Sequence, residues 1–264
     1  MDGNFNMERV ADIVPMLLLL LTLTVSAFIC FLSTLYYLRN RHASALVSHP
    51  GFRDVMFSSK STAPWFVFDR PRCWLAIRSR NLSEVQAALG LTNSVPCSWM
   101  KGLVEAMAAN RLFVSPPISG WILVFGPHLP TPSDDIDQCF RFVTNLSAEL
   151  GEVQYFCGDS VTYEHAWARV IDGMVVRGYA WYQETLWNQG VFSEAERKTG
   201  MDTFDYGESM DASAYDAQEL YRKNTERLFD LAGRWSVDLS RISRAELMAS
   251  GLGLSGDMFR AKIF

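Results

Sequence analysis

The chain has 264 residues, 49% of them hydrophobic and 13% aromatic, with a formal net charge of −5, enough apolar sequence to bury one sizeable core. Its five cysteines, Cys30, Cys73, Cys97, Cys139 and Cys157, are odd in number and contain no CxxC pair, which argues against a disulfide framework or a zinc knuckle and suits a reducing compartment. The acidic balance, with arginines that are not interleaved with aromatics along a basic stripe, excludes nucleic acid as a partner.

Residues 1–12 are a tail carrying Asp2, Glu8 and Asp12 against Arg9. Residues 13–38, IVPMLLLLLTLTVSAFICFLSTLYYL, hold no charge, and about 20 helical residues suffice to cross a hydrocarbon core. The run predicts a transmembrane helix, with Tyr36 and Tyr37 as an interfacial belt and Arg39 and Arg41 as basic anchors. A cleaved signal peptide fits less well, because the preceding tail is acidic and no small-x-small site follows. The positive flank predicts a single-pass protein of the cell inner membrane, N-terminus outside and globular domain in the cytoplasm. Arg39, Arg41, Arg53, Lys60, Arg70, Arg72, Arg78 and Arg80 stand against only Asp54 and Asp69 over residues 39–80. Such a basic flank suits an anionic leaflet.

Residues 39–63 read as a basic juxtamembrane linker, and an α+β domain follows over 64–200. Residues 73–79 (CWLAIRS) predict a strand, Ser83 with Gln86 a capping box that opens a helix ending at Gly90, and residues 98–110 a second helix. Apolar runs at 111–115 and 121–125 flank Pro116-Pro117-Ile118-Ser119-Gly120 and predict two strands. Ser133 then caps a helix with Asp134, Asp135 and Asp137 in its first turn, whose apolar face is Ile136, Phe140, Val143, Leu146 and Leu150. A strand at 153–157 completes the order βαββαβ of a ferredoxin-like sandwich.

Asp172-Gly173 between residues 161–170 and 174–182 predicts a tight hairpin that extends this sandwich, pairing Trp167 with Gly178 and His165 with Ala180. Ser193 with Glu196 caps a short helix. The remainder, 201–264, divides into an acidic segment, an amphipathic helix over 217–235 with Leu220, Leu228, Leu231 and Trp235 on its apolar side, and a flexible glycine-rich tail.

Several strings together, Gly120-Trp121-Ile122-Leu123-Val124, Cys139-Phe140-Arg141-Phe142, Val153-Gln154-Tyr155-Phe156, His165-Ala166-Trp167-Ala168-Arg169, Val175-Val176-Arg177-Gly178-Tyr179-Ala180-Trp181, Leu186-Trp187-Asn188-Gln189-Gly190 and Arg234-Trp235-Ser236-Val237-Asp238, resemble a group of uncharacterised bacterial proteins. The likeness spans residues 73–238 and is one of pattern. It implies a bacterial source and carries over neither an activity nor catalytic residues.

No phosphate-binding glycine motif is present, and the four histidines have no second ligand at metal spacing, so no cofactor or metal is expected. The functional reading is a membrane-tethered protein-binding or regulatory module without catalysis, immunity-like in type. Its partner-binding residues are Asp202, Phe204, Asp205, Tyr206, Glu208 and Asp211, acidic groups that steer a basic protein and aromatic ones that hold it. The alternative is a cysteine hydrolase using Cys97, placed at a helix N-terminus, and His165 as its base.

Overall fold

The computed structural model describes residues 21–22, 24–26, 72–108, 111–159, 161–207, 214–238 and 241–258. The chain divides into two compact units, Met1–Phe57 and Ser58–Phe264. In the first, the described residues Leu21, Thr22, Thr24, Val25 and Ser26 are helical and exposed, with the Thr24 hydroxyl donating to the Leu21 carbonyl (2.9 Å). Tyr36, Tyr37, Arg39 and Arg41 lie outside the described residues.

Among the described residues no helix is long and apolar enough to cross a membrane. The single-pass reading is overturned on that finding, and with it the inner-membrane placement and the cytoplasmic orientation. Hydropathy measures how readily side chains leave water. It does not establish the continuous helix of about 20 residues that a bilayer requires.

The second unit runs β1 (Cys73–Ile77), α1 (Leu82–Ala88), β2 (Leu91–Cys97), α2 (Trp99–Ala108), β3 (Leu112–Val114), β4 (Ile122–Phe125), α3 (Ile136–Leu150) and β5 (Glu152–Gly158). It continues with β6 (His165–Ile171), β7 (Met174–Tyr182), β8 (Glu184–Gly190), α4 (Glu194–Thr199), α5 (Ala214–Trp235), α6 (Arg244–Ala249) and β9 (Gly253–Met258). The class is α+β, but the strands form one nine-stranded antiparallel sheet in the order β2-β9-β3-β4-β1-β5-β6-β7-β8. This replaces the expected ferredoxin-like sandwich with an appended hairpin and helix.

Three strands account for most of the difference. Residues 91–97 and 184–190, to which the sequence assigns no element, are β2 and β8, the two edges of the sheet. The supposed flexible tail is β9, inserted between β2 and β3. Its glycines hide it from a propensity reading, and packing explains them: a Cβ at Gly253 would collide with the Val114 carbonyl and the Phe113 ring, and one at Gly256 with Leu91.

Apolar side chains cover both faces of the sheet. Leu75, Ile77, Leu112, Val114, Ile122, Val124, Val153, Tyr155, Ala166 and Ala168 form one face with α1 and α3. On α3, whose N-cap is Asp135 rather than Ser133, Val143 and Leu146 are buried as the periodicity required, together with Cys139 and Phe142. Phe140 is 36% exposed. The opposite face is aromatic. Trp74 stacks between Phe156 (5.1 Å) and Phe229 of α5 (4.7 Å), and Trp99 of α2 meets the Phe113 ring edge-on at 5.3 Å.

The β1–β5 register sets Cys73 opposite Cys157, and a disulfide joins them. Cysteine counting missed this pair because its members are 84 residues apart and only the sheet makes them neighbours. A structural disulfide belongs to oxidising surroundings, so the cysteine count does not support the reducing compartment read from it. Cys97 and Cys139 are thiols, both buried.

The hairpin turn forms as read. Asp172 (φ 49°) and Gly173 (φ 76°) occupy the two left-handed positions, with Ile171 opposite Met174. A register shift between Arg169 and Val170 then slips the pairing by one, setting Trp167 opposite Tyr179, Ala166 opposite Ala180 and His165 opposite Trp181. Gly178 therefore serves a different neighbour from the one expected: it makes room for the Trp187 indole of β8, which a Cβ there would overlap. Gly178→Val is expected to destabilise the domain by about 1–3 kcal/mol through overpacking. An unaltered urea midpoint would contradict this placement of Trp187.

Candidate functional site

Cys97 and His165 are not a catalytic pair. Cys97 ends β2 at one edge of the sheet and His165 begins β6, six strand positions away. At about 4.8 Å per step the separation is about 29 Å. The Cys97 thiol is buried, and that burial, together with the Glu105 carboxylate, raises its pKa above the ordinary thiol value. A poised nucleophile needs the opposite shift.

His165 is fully buried, its ring within 5.4 Å of Trp181 and 5.9 Å of both Trp167 and Tyr179, centroid to centroid. Its Nδ1 donates to the Tyr163 carbonyl (2.9 Å) and its Nε2 accepts from the Asn224 amide (3.0 Å), which assigns the neutral Nδ1–H tautomer. Burial pushes its pKa down to about 4. The neighbouring Glu164 accepts from Arg72 (2.6 Å) and from the Ser133 backbone N–H (2.9 Å), clasping the loop before α3.

A second buried node lies on the same face. Glu196 Oε1 accepts from Trp167 Nε1 and from Arg177 Nε, both at 2.7 Å, while Oε2 closes the capping box on the Ser193 N–H (2.6 Å). The Arg177 guanidinium also donates to the Gly178 and Gln189 carbonyls and to Asn188. Capping spacing identified Ser193 and Glu196 in the sequence. The second role of Glu196, joining β6, β7 and α4, has no local signature.

The acidic segment occupies the other edge of the sheet. Its backbone is fastened by side chains from three elements. Asn224 of α5 takes the Asp202 N–H on Oδ1 (2.9 Å) and returns Nδ2–H to the Asp202 carbonyl (2.7 Å). The Tyr179 hydroxyl of β7 accepts from Phe204 N–H (3.1 Å), and Thr185 of β8 donates to the Phe204 carbonyl (2.9 Å). Farther along β8, the Asn188 N–H donates to the Tyr206 hydroxyl (2.7 Å).

Among the expected partner-binding residues, the structure thus brings together Asp202, Phe204, Asp205 and Tyr206; Glu208 and Asp211 lie outside the described residues. Asp205 and Tyr206 are exposed, Tyr206 to 61%, whereas Asp202 and Phe204 are half-buried. Asp202 forms no ion pair among the described residues. The residues that hold the segment, Asn224, Tyr179, Thr185 and Asn188, escaped sequence reasoning. Only Asn224 carried a signal: it falls four residues before Leu228 on the apolar stripe of α5, where a polar residue demands a partner.

No group of His, Cys, Asp and Glu able to hold a metal occurs among the described residues. No family model, curated protein or solved structure matches the chain. The functional argument therefore rests on the site's own geometry.

Two outcomes test this geometry. Removing the carboxylate in Glu196→Ala strands the buried Arg177 and is expected to cost about 3–5 kcal/mol in unfolding free energy, measured by chemical denaturation. For His165, the unfolded chain binds a proton near pH 6.5 whereas the folded chain resists it down to about 4. Stability is then full above the upper value and declines as pH falls through that window, by about 3 kcal/mol in all. Urea titrations of the wild type across this range, set against His165→Gln, measure the difference.

Proposed function

We propose that this chain is a non-catalytic protein-binding module whose docking surface is the acidic segment at residues 202–206, and that its partner presents a basic face. An immunity-like role, in which the module neutralises a basic effector, is the form of that activity we favour. The observation that carries the reading is the fastening of the segment. Hydrogen bonds from α5, β7 and β8 hold its backbone while Asp205 and Tyr206 remain exposed. A surface fixed before binding loses less conformational entropy when the partner arrives. Carboxylates steer a basic partner, and the exposed aromatic ring supplies an anchor of the kind that dominates interface energetics.

The hydrolase alternative draws no support from geometry, because its two residues stand on separate strands with the width of several others between them. His165, the base that the sequence offered, is engaged in holding β6 to α5 through Asn224.

The reading is tested by Asp202→Lys with Asp205→Lys. Asp205 is exposed, and Asp202 is half-buried with no ion pair among the described residues and its backbone rather than its carboxylate bonded to Asn224, so the double variant should unfold within about 1 kcal/mol of the wild type. Association with a partner retained by the wild type at low salt should slow by about tenfold or more, and wild-type association should slow as salt is raised. A folded double variant that keeps the partner with unchanged, salt-insensitive kinetics would overturn the proposal.

A further inference from the structure

We propose that His165 and Asn224 form an acid-sensitive latch: neutral His165 holds residues 202–206 on the edge of the sheet, and protonation of its Nε2 releases them. The argument is one of donor and acceptor counting. Asn224 has two amide hydrogens and one carbonyl oxygen. One hydrogen goes to His165 Nε2 and the other to the Asp202 carbonyl, while the oxygen takes the Asp202 N–H. Each amide atom has a fixed assignment, and all the contacts require an unshared pair on Nε2.

A proton on Nε2 sets two donors face to face in a fully buried site. Rotating the Asn224 amide by half a turn would offer its oxygen to the imidazolium. The same rotation points Nδ2–H at the Asp202 N–H and withdraws the donor from the Asp202 carbonyl. Asn224 can therefore satisfy charged His165 or the Asp202 backbone, but not both. Leaving either mismatch buried is costly, whereas residues 202–204 are half-buried and Asp205 and Tyr206 exposed, so the segment can exchange its hydrogen bonds for water.

Among the described residues, the ion pairs on the elements around the ring join charged groups to one another rather than to His165. On β5, Glu152 pairs with Arg78 and Arg169, and Asp159 just beyond it pairs with Arg72. On β7, Arg177 pairs with Glu196 of α4, and the Tyr179 hydroxyl accepts from Phe204. On α5, Arg222 pairs with Glu219 and Glu226, and Arg227 donates to the Gly200 carbonyl. Asp202 meets Asn224 through its backbone. Burial is accordingly the main influence on the ring and sets its protonation in the acid range. Any effect on partner binding rests on the docking role proposed above, whereas the latch itself is read without a partner.

The experiment is amide exchange of the full chain by NMR from neutral pH into the acid range, with intrinsic rates corrected and the His165 ring resonances followed in the same samples. The expected result is a loss of protection of about tenfold or more at Asp202 and Phe204, in step with the His165 titration, while amides of β5 and β6 stay protected. In His165→Gln, whose side-chain carbonyl accepts from Asn224 at every pH, the segment should remain protected throughout. Continued protection after wild-type His165 has titrated would overturn the latch, as would loss of the β5 and β6 amides at the same pH. Release of the segment at an unchanged pH in His165→Gln would overturn it as well. If that variant does not fold, the wild-type titration decides alone.

Discussion

Burial on both faces of the central strands is the constraint from which the rest of the structure follows. Every residue of β1 and β4 is buried, and β5 is buried as far as Cys157. An antiparallel sheet with one wet face would alternate apolar and polar side chains, and these strands do not. Each face needs its own cover, so α1 and α3 close the aliphatic side while α2 and α5 close the aromatic side. Trp74, stacked between a strand aromatic and a helix aromatic, shows how tightly the second cover is keyed to the sheet.

Two covered faces leave two open edges, and the chain treats them differently. At β2 the backbone is unsuited to a further strand: Pro96 has no N–H, Asn93 is left-handed (φ 51°), and the pairing with β9 is irregular between Thr92 and Val95. These are familiar devices against edge-to-edge association. At β8 the chain returns and lays residues 202–206 beside the strand, so that the Tyr206 hydroxyl meets the Asn188 N–H. Edge protection and the proposed docking surface are the same piece of chain. That coincidence explains why an acidic, polar stretch is fastened by so many side chains.

The polar groups inside the aromatic face serve position more than reaction. Glu196 joins two strands to α4, and His165 joins β6 through Asn224 to the edge segment. Their partners are numerous and well matched, which is what buried polar atoms require in a low-dielectric interior. Such groups resemble catalytic ones in a sequence because both kinds are ionisable residues among apolar neighbours. Geometry separates them: the His165 ring is held between the Tyr163 carbonyl and the Asn224 amide with a depressed pKa, and the thiol proposed for it lies at the far edge of the sheet.

The sequence alone determined what depends on residues close together along the chain. The Asp172-Gly173 turn, the Ser193–Glu196 capping box and the amphipathic α3 all rest on contacts within a few positions, and all are present. The acidic stretch was likewise legible as charge, though not its attachment, since only Asn224 on the stripe of α5 hinted at a partner. Tertiary structure decided whatever depends on distant neighbours: β9 between β2 and β3, the slip after Arg169, Cys73 beside Cys157, and the separation of Cys97 from His165. Periodicity and capping are written in local spacing. Which strand lies beside which is set by the requirement that the whole sheet bury both faces at once, a condition no short window of sequence contains.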